Sequence, residues 1–158
     1  MIPVGAAAVE RKRKIVPPVY LFMTLAAMAA LHRFMPIAQL LTAPYTHAGW
    51  LLFATGIGIA VVAVRAFERA GTGIVPFDPA TALVTGGLYR YTRNPMYLGM
   101  VLLLLGVAIA LGSLGAWLPI PVFVWIIQTS FIVGEERFLE QTFGEPYVAY
   151  KRAVRRWL

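Results

Sequence analysis

Gly86-Gly87-Leu88-Tyr89-Arg90-Tyr91-Thr92-Arg93-Asn94-Pro95-Met96-Tyr97-Leu98-Gly99 is the stretch in which a polar loop turns into an apolar helix. Asn94 is a favourable N-cap, and Pro95 suits the first helical position, where a missing N–H costs nothing. The apolar run from Met96 to Leu111 is therefore a helix with a defined start. Free backbone N–H groups at that start, with Arg90 and Arg93 beside them, favour a carboxylate or a phosphate. Tyr89, Tyr91 and Tyr97 add flat, partly polar surfaces around it.

Working outward, this run is one of four. The others are about 15–31, 48–64 and 114–133, each near the length needed to cross a bilayer. Gly49, Gly56 and Ala63 recur every seven residues in the second run, and Gly99, Gly106 and Ser113 do so in the third. Such stripes of small residues let helices approach closely. Ala26 and Ala30 are read in the same way in the first run, which argues for a retained helix rather than a cleaved signal. Only Gly112-Ser113-Leu114-Gly115 separates the third run from the fourth, so these two form a tight hairpin that returns Glu135 and Glu136 to the depth of Asn94 and Tyr97. Pro119 and Pro121 lie near the far end of the fourth run, where an irregular turn is cheapest.

The stretch from Arg65 to Arg93 is the one long loop, and Ile74, Val75, Phe77, Leu83 and Val84 within it argue for a structured segment. Beyond Gly144-Glu145-Pro146, the residues Tyr147, Tyr150, Val154 and Trp157 share one helical face, with Lys151, Arg152, Arg155 and Arg156 elsewhere. That pattern reads as a helix on an anionic membrane surface. The expected fold is all-α: an integral membrane bundle of four transmembrane helices forming a single domain over 1–158, with a cytosolic loop and an amphipathic interfacial segment at 135–158.

Composition agrees. The chain has 158 residues, 59% of them hydrophobic and 13% charged, which is too apolar for an ordinary soluble domain. It has no cysteine and two histidines, His32 and His47, so thiolate chemistry is excluded and a metal centre is not expected. The formal charge of +7 does not point to nucleic acid, because the basic residues flank the apolar runs. With four spans, thirteen of the fourteen Lys and Arg fall with the termini and the long loop, leaving Arg33 alone on the other side. The positive-inside rule then places termini, loop and the Gly86 to Gly99 stretch in the cytosol.

Each candidate residue has an ordinary role too. Glu135 and Glu136 could mark the water interface, Asn94-Pro95 could be a cap, the tyrosines could form an interfacial belt, and the arginines could set topology. Their convergence on one pocket favours a ligand. Backbone donors with Arg90 and Arg93 suit a carboxylate, Glu135 an ammonium, and the rings a cationic or planar group. S-adenosylmethionine has this make-up, although the residues alone do not select it.

The segments Leu83-Val84-Thr85-Gly86-Gly87-Leu88-Tyr89, Arg93-Asn94-Pro95-Met96-Tyr97-Leu98-Gly99, Glu135-Glu136 and Phe143-Gly144-Glu145-Pro146-Tyr147 together resemble the isoprenylcysteine carboxyl methyltransferase and phospholipid methyltransferase superfamily, over about Ile74 to Arg156. The Arg-Asn-Pro-Met-Tyr core looks like that of the bacterial members. The resemblance implies a methyltransferase of the inner membrane that uses S-adenosylmethionine from the cytosol and a lipophilic or small acceptor, with membrane lipids as its surroundings. It places cofactor contacts at Leu83, Val84, Tyr89, Asn94, Pro95, Tyr97 and Glu135, with Thr81, Ala82 and Met96 as backbone or packing contacts.

Two departures from the superfamily stand out. Asn94 replaces a histidine of the eukaryotic enzymes, and asparagine hydrogen-bonds without titrating near neutral pH. Phe131 replaces a substrate-binding arginine, which leaves a prenylcysteine carboxylate without its expected partner. Phe131 and Glu136 are the candidate acceptor contacts, and no residue is assigned as a catalytic base. The alternatives are an NADPH-dependent membrane reductase of the sterol-reductase type, whose C-terminal halves look similar, and a non-catalytic lipid-binding membrane protein.

Overall fold

The computed structural model describes residues 16–72 and 81–158. The basic residues Arg11 to Lys14 and the apolar residues Ile74, Val75 and Phe77 lie outside the described residues. Six α-helices follow in order: α1 (Pro17–Phe34), α2 (Ala48–Arg69), α3 (Pro95–Leu111), α4 (Pro119–Ile127), α5 (Val133–Phe143) and α6 (Glu145–Ala153). Short 3-10 turns occupy Tyr45–His47, Gly87–Arg90 and Leu114–Trp117. A π turn at Gln128–Ile132 joins α4 to α5, so helix runs without a break over the 30 residues Leu114–Phe143. Among the described residues there is no strand, only an isolated bridge between Gln39 and Ser113.

Proline marks three of these starts, Pro17, Pro95 and Pro119, each where an N–H would have no helical partner. Among the described residues two helical runs are long and apolar enough to cross a membrane, Tyr45–Arg69 and Leu114–Phe143. α3 is apolar and shorter, its 17 residues rising about 26 Å.

α3 is the central helix and has two unlike sides. Towards α2, Gly49 and Gly56 face Gly106 and Gly99 in reverse order, so the two helices run antiparallel with backbone on backbone. A Cβ at Gly56 would stand 2.5 Å from the Leu103 nitrogen, and one at Gly99 would stand 2.7 Å from the Gly56 oxygen. The seven-residue stripes therefore mark a real interface. Towards α1 and α4, large side chains fill the space: Met28, Leu104, Phe123, Ile127, Phe131 and Ile132 form a buried cluster that also takes in Tyr97.

At the end of the molecule away from Asn94, the chain after α1 folds back along the turn after α3. The Leu40 and Leu41 N–H groups donate to the Gly112 carbonyl, and the Leu114 and Gly115 N–H groups donate to Ala38 and Pro36. Gly112 makes this turn at φ +71°, a left-handed conformation that favours glycine. His32 Nδ1 lies 2.8 Å from the hydroxyl of the buried Ser113.

Several expectations change. α2 continues to Arg69 rather than ending near Val64, because the residues after Val64 still make helical bonds and shorten the loop. The fourth helix continues to Phe143 rather than ending at Val133, so residues 135–143 prolong it rather than start a separate segment. Ala26 and Ala30 are exposed. It is Met28, between them, that enters the core, since the packing on that side is by large side chains. Tyr147 is buried against the bundle with Tyr150 and Trp157 partly so, which means the apolar face of the tail packs on protein rather than on a membrane surface.

Candidate functional site

Asn94 and Pro95 open α3 as the sequence predicts, but Asn94 makes no side-chain cap to its own helix. Its Nδ2 instead donates to the Arg156 carbonyl at 2.9 Å, and its backbone N–H donates to the Thr92 hydroxyl at 3.2 Å. The Met96 and Tyr97 amides keep the free donor character of a helix start. Leu98 is the first to bond back, to the Asn94 carbonyl.

Three residues along from Asn94, Tyr97 is buried and its hydroxyl donates to Glu135 Oε1 at 2.7 Å. This contact closes the hairpin of α3 with the long helix that follows it. Glu136, next in sequence, points to a different set of partners. Its carboxylate accepts two hydrogen bonds from Arg156, Nε to Oε1 at 2.9 Å and Nη2 to Oε2 at 2.7 Å, and Arg93 Nη1 stands 3.3 Å from Oε1. A bidentate arginine–carboxylate pair fixes both position and plane. The carboxylate in turn raises the already high Arg156 pKa.

Tyr89, in the 3-10 turn, is buried edge-on against Phe67 at the end of α2, with ring centroids 5.5 Å apart. Its carbonyl accepts the Tyr150 hydroxyl at 2.7 Å. Burial, with Tyr147 close by, pushes Tyr150 up to about 12, so it remains a donor at neutral pH. Burial likewise pushes Tyr89 far above the ordinary tyrosine value, with Tyr150 and Glu135 adding to it. Among the described residues the Tyr89 hydroxyl and Arg93 Nε have no hydrogen-bond partner, and Arg93 Nη1 has only its 3.3 Å ion pair with Glu136. Buried donors left open are costly, and a ligand is one of the few things that would satisfy them.

The residues singled out from sequence divide accordingly. Tyr89, Arg93, Asn94, Pro95, Tyr97 and Glu135 gather at the start of α3, with Met96 partly buried there. Thr81 ties the end of the loop to the end of α2, its N–H to the Thr72 hydroxyl and its own hydroxyl to the Gly71 carbonyl, both at 3.1 Å. Ala82, Leu83 and Val84 follow it, partly buried. Phe131 lies one turn before Glu135, in the core and edge-on to Tyr20 with centroids 5.7 Å apart. Arg90 and Tyr91 are exposed and do not join the cluster.

Sequence reasoning missed Thr92 and Arg156. Thr92 is buried and donates to the Arg156 carbonyl at 3.1 Å. The shared face of Tyr147, Tyr150 and Trp157 was the available signal, since it shows that the tail has something apolar to cover.

Comparison with known proteins agrees with this reading of the chain. A family model described as phospholipid methyltransferase matches residues 45–146, more than half of the chain. An uncharacterized protein of Haemophilus influenzae is 44% identical over 63 residues, which are 40% of this chain and all of that protein. A protein-S-isoprenylcysteine O-methyltransferase of Schizosaccharomyces pombe is 35% identical over 72 residues, 46% of this chain and 30% of the relative. Protein-S-isoprenylcysteine O-methyltransferase A of Arabidopsis thaliana is 30% identical over 108 residues, 67% of this chain and 55% of the relative. The match thus spans only about a third to just over half the length of these named enzymes. No solved structure matches. On the extent of the family match, the chain belongs to the phospholipid methyltransferase family, within the superfamily that also holds the isoprenylcysteine methyltransferases, and is an integral membrane protein.

Proposed function

We propose that the chain is an S-adenosylmethionine-dependent methyltransferase of a bacterial inner membrane, acting on a lipophilic or small acceptor at the cytosolic face. The observation that carries this reading is the partly buried Tyr97–Glu135 pair set beside the Tyr89 hydroxyl and Arg93 Nε, which have no hydrogen-bond partner among the described residues, at the start of one apolar helix. These groups fit the two charged ends of an amino-acid moiety. Arg93 and the first amides of α3 would hold its carboxylate, and Glu135, oriented by Tyr97, its ammonium. Asn94, Pro95, Met96, Tyr89 and residues 81–84 would line the remainder. Bound there, S-adenosylmethionine would supply a methyl group already activated on a sulfonium.

The protein's own share is then to align the acceptor and keep water out. Phe131 and its partner Tyr20 make the neighbouring part of the core aromatic and uncharged. A carboxylate buried against them would lack a cation, at a desolvation cost of several kcal/mol. The acceptor's reactive group is therefore neutral, or it meets the methyl group at the interface. Glu136, engaged by Arg156 and Arg93, acts on the frame of the site rather than on the acceptor.

Titration calorimetry with S-adenosylhomocysteine and with NADPH tests the cofactor. Uptake of the first alone is expected, and uptake of NADPH alone would make the chain a reductase. Labelled S-adenosylmethionine offered with membrane lipid extract, small thiols and a farnesylcysteine analogue then separates the acceptors. Efficient methylation of the farnesylcysteine analogue alone would refute the uncharged acceptor site.

The same reading has α1, α2, α3 and the run Leu114–Phe143 all crossing the membrane, with both termini cytosolic. Because the chain lacks cysteine, single cysteines at the exposed positions His47 and Ala70 give a clean test. They should label from opposite sides, and labelling from one side would end this topology.

A further inference from the structure

Residues 155–157 are tied to the rest of the molecule at four points. After α6 the chain becomes extended at Val154 and crosses the entrance of α3. The Arg155 carbonyl accepts the Arg93 N–H at 2.9 Å, and the Arg156 carbonyl accepts both the Thr92 hydroxyl and Asn94 Nδ2. The Arg156 guanidinium is clamped on Glu136, and Trp157 Nε1 donates to Gln128 Oε1 at 3.1 Å, in the π turn. Residues 154–158 thus form a strap from α6, over the Thr92-Arg93-Asn94 loop, to the middle of the long helix.

We propose that this strap sets the geometry of the site, with Arg156 as a positioning residue that acts through Asn94 and Arg93, an inference that rests on the cofactor reading above. The Asn94 amide does not cap its own helix, so its orientation follows from where the Arg156 carbonyl stands. That carbonyl is fixed in turn by the clamp on Glu136. Because Arg156 takes the two short, in-plane hydrogen bonds of Glu136, Arg93 is left with a longer ion pair from Nη1 at 3.3 Å, and its Nε has no hydrogen-bond partner among the described residues. Without the Arg156 side chain, Arg93 gains Glu136 for itself, and the backbone carbonyl that holds Asn94 loses the clamp that fixes its position. Both changes act on the two residues that stand at the start of α3.

The test is a double-mutant cycle on S-adenosylhomocysteine affinity, using Arg156→Ala, Asn94→Ala and the pair, with the exposed Arg152→Ala as a control. Loss of an anchored hydrogen bond predicts that Arg156→Ala weakens binding about tenfold. With Asn94 already removed, Arg156→Ala should add little, so the pair falls well short of the product of the single effects. Wild-type affinity in Arg156→Ala, or a fully multiplicative pair, would overturn the proposal.

Amide hydrogen exchange at Arg93 reads the strap without any ligand. Its amide should be protected in the wild type and exchange at least tenfold faster in Arg156→Ala, and equal protection in both would also overturn the proposal. Failure of the cofactor reading shows separately, as a wild-type chain that takes up no S-adenosylhomocysteine yet loses Arg93 protection in Arg156→Ala. That result would uphold the strap and remove only its ligand.

Discussion

The two ends of α3 do the same mechanical job by opposite means. At the Gly112 end, neighbouring segments are joined mainly by backbone N–H and carbonyl groups, with Leu40, Leu41, Leu114 and Gly115 as donors. At the Asn94 end they are joined largely by side chains: Tyr97 to Glu135, Asn94 and Thr92 to the tail, and Arg156 to Glu136. A backbone pairing works with almost any side chain that fits. A side-chain pairing works only with the right functional group, at a spacing set by the helix. The first end should therefore govern stability and the second binding, and substitutions at each can break that division.

The largest effect is expected at Gly112. A valine there would be forced to φ +71°, with its Cβ against the Leu41 carbonyl and 2.6 Å from Gln39 Nε2. Strain and overpacking together predict a loss of roughly 3 kcal/mol or more. Thermal unfolding of Gly112→Val in detergent should show it, while the molecules that remain folded bind S-adenosylhomocysteine as before. Unchanged stability would mean that this end carries little of the fold.

At the other end, Glu135→Gln removes a charge from a partly buried pair and with it the proposed partner of an ammonium. Loss of a charged hydrogen bond is worth about 1.5–3 kcal/mol, or roughly ten- to a hundredfold in affinity. Glu136→Gln should cost less affinity and more stability, since its partners are Arg156 and Arg93. Equal, small effects of the two on affinity would return both carboxylates to the role of interface markers.

This contrast also explains what could be read from the sequence. Glycines at seven-residue spacing marked the faces by which α2 and α3 pack, though not that they pack on each other, because close backbone approach leaves no other residue possible at Gly56 or Gly99. The same reasoning failed for Ala26 and Ala30. Alanine is tolerated anywhere on a helix, so its spacing carries far less information. The Asn94-Pro95 start and the return of Glu135 to Tyr97 were legible from a cap, a proline and a short turn. The pairing of residues 36–40 with the Gly112 turn was not, since backbone bonds leave no mark on side-chain identity. Nor was the strap, whose Arg156 looks in sequence like one more basic residue of a cationic tail.

The smallest prediction removes one hydrogen bond of nearly equal length from each end. Ser113→Ala deletes the hydroxyl 2.8 Å from His32, and Tyr97→Phe deletes the one 2.7 Å from Glu135. Each change is conservative in shape, and each bond should be worth about 0.5–1.5 kcal/mol. For Ser113→Ala the whole loss should fall on the unfolding midpoint, with cofactor affinity untouched, because nothing at that end is proposed to meet the ligand. For Tyr97→Phe, Glu135 loses the donor that orients it, and affinity should drop about two- to tenfold. Measured side by side in one detergent, equal effects on both quantities at both positions would erase the functional difference between the two ends. A loss of affinity in Ser113→Ala alone would place the ligand at the Gly112 end instead.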